Sequence, residues 1–266
     1  IRTVDRLLAA VDVPVSDRLA EAYVVPHAGY RYSGAVAATV YARLGRHAGQ
    51  VRRVVLIGPA HRVPLAGCAV TVSDRWSTPL GEIMIDTGTA EALAAARLAD
   101  PDDRPHRPEH AIEVQLPFLQ RVLAPDVTIL PICVGRSDPP PVAELIEAAG
   151  GGRPGTVVLC STDFSHYLPE GMAWERDRRT AAAVMELSPA GIGDRDACGL
   201  YALRGLLAWA GTSGVRRVVQ LALANSAQTG GDPTRVVGYP AFAVHGADPV
   251  EAGGPVERSA ESGQPV

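Results

Sequence analysis

The stretch Val24-Val25-Pro26-His27-Ala28-Gly29-Tyr30-Arg31-Tyr32-Ser33-Gly34 decides how the rest of the chain is read. The apolar run from Tyr23 to Val25 has the look of a buried strand, and the glycines after His27 let the backbone turn sharply. Ser33 is a good N-cap, and Val36, Val40, Tyr41 and Leu44 recur behind it at helical spacing. A histidine therefore stands where a strand ends and a helix begins. In open α/β sheets that edge is where ligands bind.

The arrangement recurs twice. Arg53 to Gly58 is a second buried strand that runs into His61, and Thr156 to Ser161 is a third, followed at once by Asp163, Ser165 and His166. If the three strands run parallel, all three turns share one end of the sheet. Val127 to Val134 adds a strand, and Pro141 to Ala149, Glu170 to Leu187 and Cys198 to Ala210 read as helices. Val215 to Ala224 and Val236 to His245 read as closing strands. This alternation predicts an α/β fold with a largely parallel central sheet and helices on both faces. The pattern predicts one domain over residues 1–245, and the Gly, Pro, Ser, Ala and Glu content of residues 246–266 predicts a disordered tail.

Smaller features fill this frame. Val4 to Val11 reads as an amphipathic helix, Cys68 to Ser73 as a strand, Trp76 to Pro79 as a turn and Thr87 to Leu98 as a helix. Asp100 to Pro108 is a polar, proline-studded loop fit to wall a site. Glu109 to Leu123 has helical spacing, and Pro117 should bend it because proline cannot donate to the carbonyl of Glu113.

The 266 residues are 47% apolar, enough for a full core, and carry a net charge of −4, which gives no reason to expect nucleic acid. All 25 basic residues are Arg, so lysine chemistry, from Schiff bases to P-loops, is excluded from the chain as given. No run is apolar enough to span a bilayer. Cys68, Cys133, Cys160 and Cys198 show no CxxC spacing, and the simplest expectation is a reduced, cytoplasmic protein. The glycine spacing of a dinucleotide site and a G-x-S-x-G elbow are both missing, which argues against a Rossmann oxidoreductase and an α/β-hydrolase.

Three strand-end groups, His27, His61 and the Asp163/His166 pair, are the candidates for chemistry. His110 and Glu113 lie three apart on one helical face. Cys198 falls in the expected first turn of a helix, where the dipole favours a thiolate. Each has a plainer reading: a strand-end histidine is often only a hydrogen-bonded structural residue, and a lone cysteine is often packing. His47 and His106 sit in polar surface segments and His245 near the tail, and these are expected to be structural or solvent-facing.

Several motifs together resemble the Memo family. They are Pro26-His27-Ala28-Gly29-Tyr30, Gly58-Pro59-Ala60-His61, Thr78-Pro79-Leu80-Gly81, Glu109-His110-Ala111-Ile112-Glu113 with Gln115-Leu116-Pro117, and Ser161-Thr162-Asp163-Phe164-Ser165-His166. In bacteria and archaea the family is called AmmeMemoRadiSam system protein B. The resemblance runs from about Val4 to His245, in family order. It implies a fold like that of the class III extradiol dioxygenases and a metal pocket of His27, His61 and Cys198. Around this pocket it implies Asp163, His166, His110, Glu113 and Tyr30. It further implies iron or copper, with zinc also compatible, and partnership with a radical-SAM protein and an AMMECR-type protein. The family usually starts with a short Ala-Gly-aromatic motif near the pocket, expected upstream of Ile1.

The resemblance departs from dioxygenase chemistry in one respect. Oxygen-activating ferrous sites use two histidines and a carboxylate, whereas here the third position is a cysteine, whose soft thiolate also suits copper(I) or zinc. Three readings follow. The first is a metal-dependent redox enzyme in which His166, oriented by Asp163, is the acid/base and His110, Glu113 and Tyr30 contact substrate or support the site; a variant takes Asp163 or Glu113 as third ligand. The second is a non-catalytic metal- or phosphopeptide-binding adaptor that holds a small molecule or peptide in the same cleft. The third is a cysteine hydrolase built on Cys198, His166 and Asp163.

Overall fold

A computed structural model describes residues 2–246. Its centre is the set of buried runs that the sequence marks. β1 (Ala22–Val25), β2 (Arg53–Pro59), β3 (Cys68–Val70), the hairpin β4 (Arg75–Thr78) and β5 (Gly81–Met84), and the two-residue β6 (Asp100–Pro101) come first. β7 (Thr128–Val134), β8 (Thr156–Ser161), β9 (His166–Leu168), β10 (Val215–Asn225) and β11 (Val236–Gly246) follow. The main sheet runs in the order β10-β11-β1-β8-β2-β7-β3-β6. Its middle four strands, β1, β8, β2 and β7, are parallel to one another. The flanks are antiparallel: β11 against β1, β10 against β11, and β3 against β7. The expected sheet is therefore present, parallel at its core and mixed at its margins. β10 forms one edge, and its pairing with β11 shifts register at two places.

Side chains on the central strands alternate between two cores. Val55 and Ile57 of β2, with Val158 and Cys160 of β8, face the first core, while Val54, Leu56, Val157 and Leu159 face the second. The first is covered by α3 (Thr87–Ala95), α6 (Pro139–Ala148), α7 (Glu170–Met185) and α8 (Leu200–Thr212). The second is covered by α1 (Arg2–Ala9), α2 (Tyr30–Arg46) and α5 (Leu116–Val122). Near-continuous apolar strands follow from this, since both faces must be dry.

Several local expectations are corrected. Residues Glu109–Leu123 do not form one bent helix: α4 (His110–Glu113) stops, and α5 begins at Leu116 with Pro117 in its first turn. Proline has no N–H to offer the preceding turn but suits a first turn, so the bend becomes a break. Trp76–Thr78 is strand, not turn, and the chain reverses at Pro79-Leu80. Ser33 is not the cap of α2, which starts at Tyr30; its hydroxyl instead donates to the carbonyl of Ala28. Cys198 precedes α8, whose cap is Gly199. His106 is buried, with Nε2 on the Ala69 carbonyl and Nδ1 beside Cys133 Sγ. Gly246 closes β11, and the rest of the expected tail lies outside the described residues. No helix among the described residues is long and apolar enough to cross a membrane.

α8 packs closely on α6, where a Cβ on Gly205 would overlap Cβ and Cγ1 of Val142. Gly211, on the same helix, has nothing within 4 Å of that position. Denaturant titration should therefore separate the two substitutions. Gly205→Ala should lose about 1–3 kcal/mol through overpacking, and Gly211→Ala should gain up to about 1 kcal/mol from helix propensity.

Candidate metal centre

Because β1, β8 and β2 are neighbours and parallel, the turns after them meet at one sheet end. His27 follows β1, His61 follows β2, and Asp163 follows β8. The His27 and His61 rings lie edge to face with centroids 5.2 Å apart. Cys198 arrives from the far side. Its N–H donates to the Asp163 carbonyl at 3.1 Å, its Sγ accepts the Asp163 N–H at 3.3 Å, and the Gly199 N–H donates to Thr162 Oγ1 at 2.9 Å. A Cβ at Gly199 would lie 2.8 Å from Thr162 Cβ, so this approach needs glycine. The result puts Cys198 Sγ 3.2 Å from His27 Nε2.

The ligand atoms of His27, His61 and Cys198 lie within 4.8 Å of one another. Bonds of about 2.0–2.3 Å to a common ion fit such a span. Two imidazoles and a thiol form a soft, nitrogen-and-sulfur donor set. No carboxylate enters this group. Asp163 Oδ1 accepts the His27 N–H at 2.8 Å, and Glu113 lies in an adjoining cavity.

His61 is held by a residue that the sequence reading passed over. Its Nδ1 lies 2.9 Å from Glu109 Oε1, and its own N–H donates to Glu109 Oε2 at 2.6 Å. A carboxylate accepts only, so Nδ1 carries a proton and Nε2 is the nitrogen left to face a ligand. This carboxylate–histidine pairing is the usual support of a metal-binding imidazole. Glu109 is 5% exposed. Burial alone would raise its carboxyl, but the His61 ring and the N–H groups of Ala111 and His61 outweigh burial and hold it down at about 2. Glu109 stands inside a quoted motif, but from the sequence it reads only as a helix start. Its place one residue before His110 was the available signal.

His27 is 2% exposed, and burial, then the His61 and His110 rings, keep it well below its usual value and neutral. Its Nδ1 lies 2.9 Å from Ser161 Oγ, the last residue of β8. Cys198 is not a ready thiolate: burial, then the charge of Asp163, push it up to about 12. It stands outside the helix, and its backbone N–H points to Asp163 rather than along α8.

His166 is near enough to act electrostatically on both His27 and Asp163. Asp163 does not orient it, however. His166 Nδ1 donates to the Phe164 carbonyl at 2.8 Å, which leaves Nε2 as the free nitrogen. Burial raises Asp163 to about 6 against the pull of the His27 N–H. The hydrolase reading loses its geometry here, because the imidazole beside Cys198 is His27. His110 stacks on His61 with centroids 5.1 Å apart, and it is the outward member, its side chain 44% exposed. Tyr30 donates its hydroxyl to Val114 O and sets its ring edge on Phe118, bracing α2 against the α4–α5 break. Beside Glu109 opens a cavity of about 350 Å³, walled by Trp76, His106 and Leu116, with Arg75, Arg107 and Glu113 among its charged residues.

The sequence model for Memo-like proteins matches residues 3–243. The chain belongs to the Memo family. A MEMO1 family protein of Methanosarcina barkeri is 40% identical over 234 residues, which is 83% of this chain and 85% of that protein. Another from Methanosarcina mazei is 37% identical, covering 83% of this chain and 84% of its own length. A third, from Methanopyrus kandleri, is 36% identical over 82% of this chain and 81% of its own. The expected family assignment is thus established, and in this Memo protein the quoted motifs carry the strand-end cluster.

The depressed Glu109 carboxyl sets the sign of a pH effect. A folded pKa below the unfolded value adds stability that is full above about 4.5 and lost as pH falls toward about 2. Glu109→Gln should therefore show a shallower loss of stability than wild type between those pH values, measured by thermal unfolding across pH.

Proposed function

We propose that this Memo-family chain is a metal-dependent redox protein whose ion is held by His27 Nε2, His61 Nε2 and Cys198 Sγ. The observation that carries the reading is the convergence of these three donors at one sheet end, with His61 locked by Glu109 in its metal-binding tautomer. Two nitrogens and a thiolate suit iron or copper, and zinc as a redox-silent occupant. Iron or copper bound there would supply one-electron chemistry toward oxygen or an oxidisable substrate.

The chain's own residues supply the rest. His166 Nε2 is free to accept or give a proton, because Nδ1 is committed to Phe164 O. Asp163, buried and raised to about 6, adds negative charge when ionised. His110, on the open side, guards entry. The cavity beside Glu109 offers substrate a flat wall in Trp76 and charged groups in Arg107 and Glu113. The same cavity also supports the second reading, a binding adaptor: an arginine beside an indole suits an anionic peptide side chain. Turnover separates the two.

The test is elemental analysis of protein purified without oxygen and reconstituted with iron(II) or copper(I), in wild type, His27→Ala and Cys198→Ala. Near-stoichiometric metal in wild type, lost in both variants, is the expected result. Metal kept in Cys198→Ala would transfer the third ligand to a carboxylate. Absence of metal from reconstituted wild type would overturn the redox reading.

A further inference from the structure

His27 is locked differently from His61, through neutral groups, and the direction of each hydrogen bond can be worked out. Ser161 Oγ lies 2.6 Å from the Ala111 carbonyl. Two oxygens that close need a proton between them, and only the serine has one to give. Ser161 Oγ is then left with lone pairs alone. Gln115 Nε2 donates to one at 2.9 Å, and the remaining neighbour at hydrogen-bond distance is His27 Nδ1, also 2.9 Å away. That contact needs a proton from the imidazole.

Two further features hold Ser161 in this role. Tyr41 donates its hydroxyl to Gln115 Oε1 at 2.6 Å, so the amide presents Nε2 to Ser161 and to the Pro26 carbonyl. Burial keeps the Tyr41 phenol well above its usual value, so it stays a donor. The break between α4 and α5 supplies the acceptor: the Gln115 N–H bonds Ile112 O rather than Ala111 O, and the Ala111 carbonyl is left to side chains. Ser161, Gln115, Tyr41 and His27 are all 2% exposed or less. Bulk solvent does not reach this network.

We infer that Ser161 is a positioning residue that fixes His27 as the Nδ1–H tautomer, with Gln115 and Tyr41 holding Ser161 in orientation. His27 Nε2 then presents a bare lone pair to the space beside Cys198 Sγ. Its consequence for metal affinity rests on the proposed metal site; the tautomer does not.

The experiment is a long-range proton–nitrogen NMR spectrum of metal-free, ¹⁵N-labelled protein, with the His27 signals assigned by their loss in His27→Gln. Wild type should show a protonated Nδ1 and a bare Nε2 at His27. Folded Ser161→Ala should show protonation moving to Nε2, and Ser161→Thr, which keeps the hydroxyl, should restore the wild-type pattern. Titration with iron(II) and zinc(II) should then give binding about 10–100-fold weaker in Ser161→Ala than in wild type, the usual effect of removing a ligand's support. A protonated Nε2 in wild type, or an unmoved tautomer in folded Ser161→Ala, overturns the inference. Failure of wild type to bind either ion while the tautomers behave as expected overturns the proposed function and leaves this inference standing.

Discussion

Leu159, in the middle of β8, sits level with Tyr23 of β1 on one side and Leu56 of β2 on the other. That shared register of three parallel strands brings their ends out together, so that His27, His61 and Asp163 meet without any long excursion of the chain. A one-residue slip of β8 would exchange Val158 and Cys160 with Val157 and Leu159 between the two cores. Hydrophobic burial thus enforces the geometry of a polar site. The apolar pattern of the strands and the chemistry at their ends are one constraint.

At the strand ends three imidazoles crowd together. Their ring centroids lie 5.1–5.4 Å apart, and burial, then the other two rings, keep His27 well below its usual value. Each of the two inner rings is tied at Nδ1, His61 by a carboxylate and His27 by a hydroxyl. The two supports differ in kind. Glu109 adds negative charge behind its ring, whereas Ser161 adds none, so the His61 side is the more electron-rich half of the donor set.

Much of this was legible in the sequence, for reasons that can be named. His27 and His61 stand out because each follows a strongly patterned strand, and position at a strand end is a backbone property, whereas Cys198 joins them in one pocket only through the family resemblance. The supports were less visible. Ser161 closes a run that reads as a buried strand, and Glu109 reads as the start of a helix; their partners are 134 and 48 residues away. The polar neighbours of His106 place it in a surface segment and leave structural and solvent-facing roles open, and the Asp100–Pro108 segment folds back and buries that ring under Ala69 and Cys133. Local composition reports the segment, not the side chain within it. Pro117 gave the position of a discontinuity but not its extent, because a bend and a break begin with the same missing N–H.

The sheet margins carry a separate consequence. Eleven residues of β10 form an outer edge, long enough to template a strand from another molecule. The register shifts between Val215 and Arg217 and between Gln220 and Ala222 disturb its backbone ladder at two points. At the opposite margin β6 contributes only Asp100 and Pro101, and a proline cannot donate to an added strand. Among the described residues both edges are thus poor docking tracks for another strand, which disfavours edge-to-edge polymerisation.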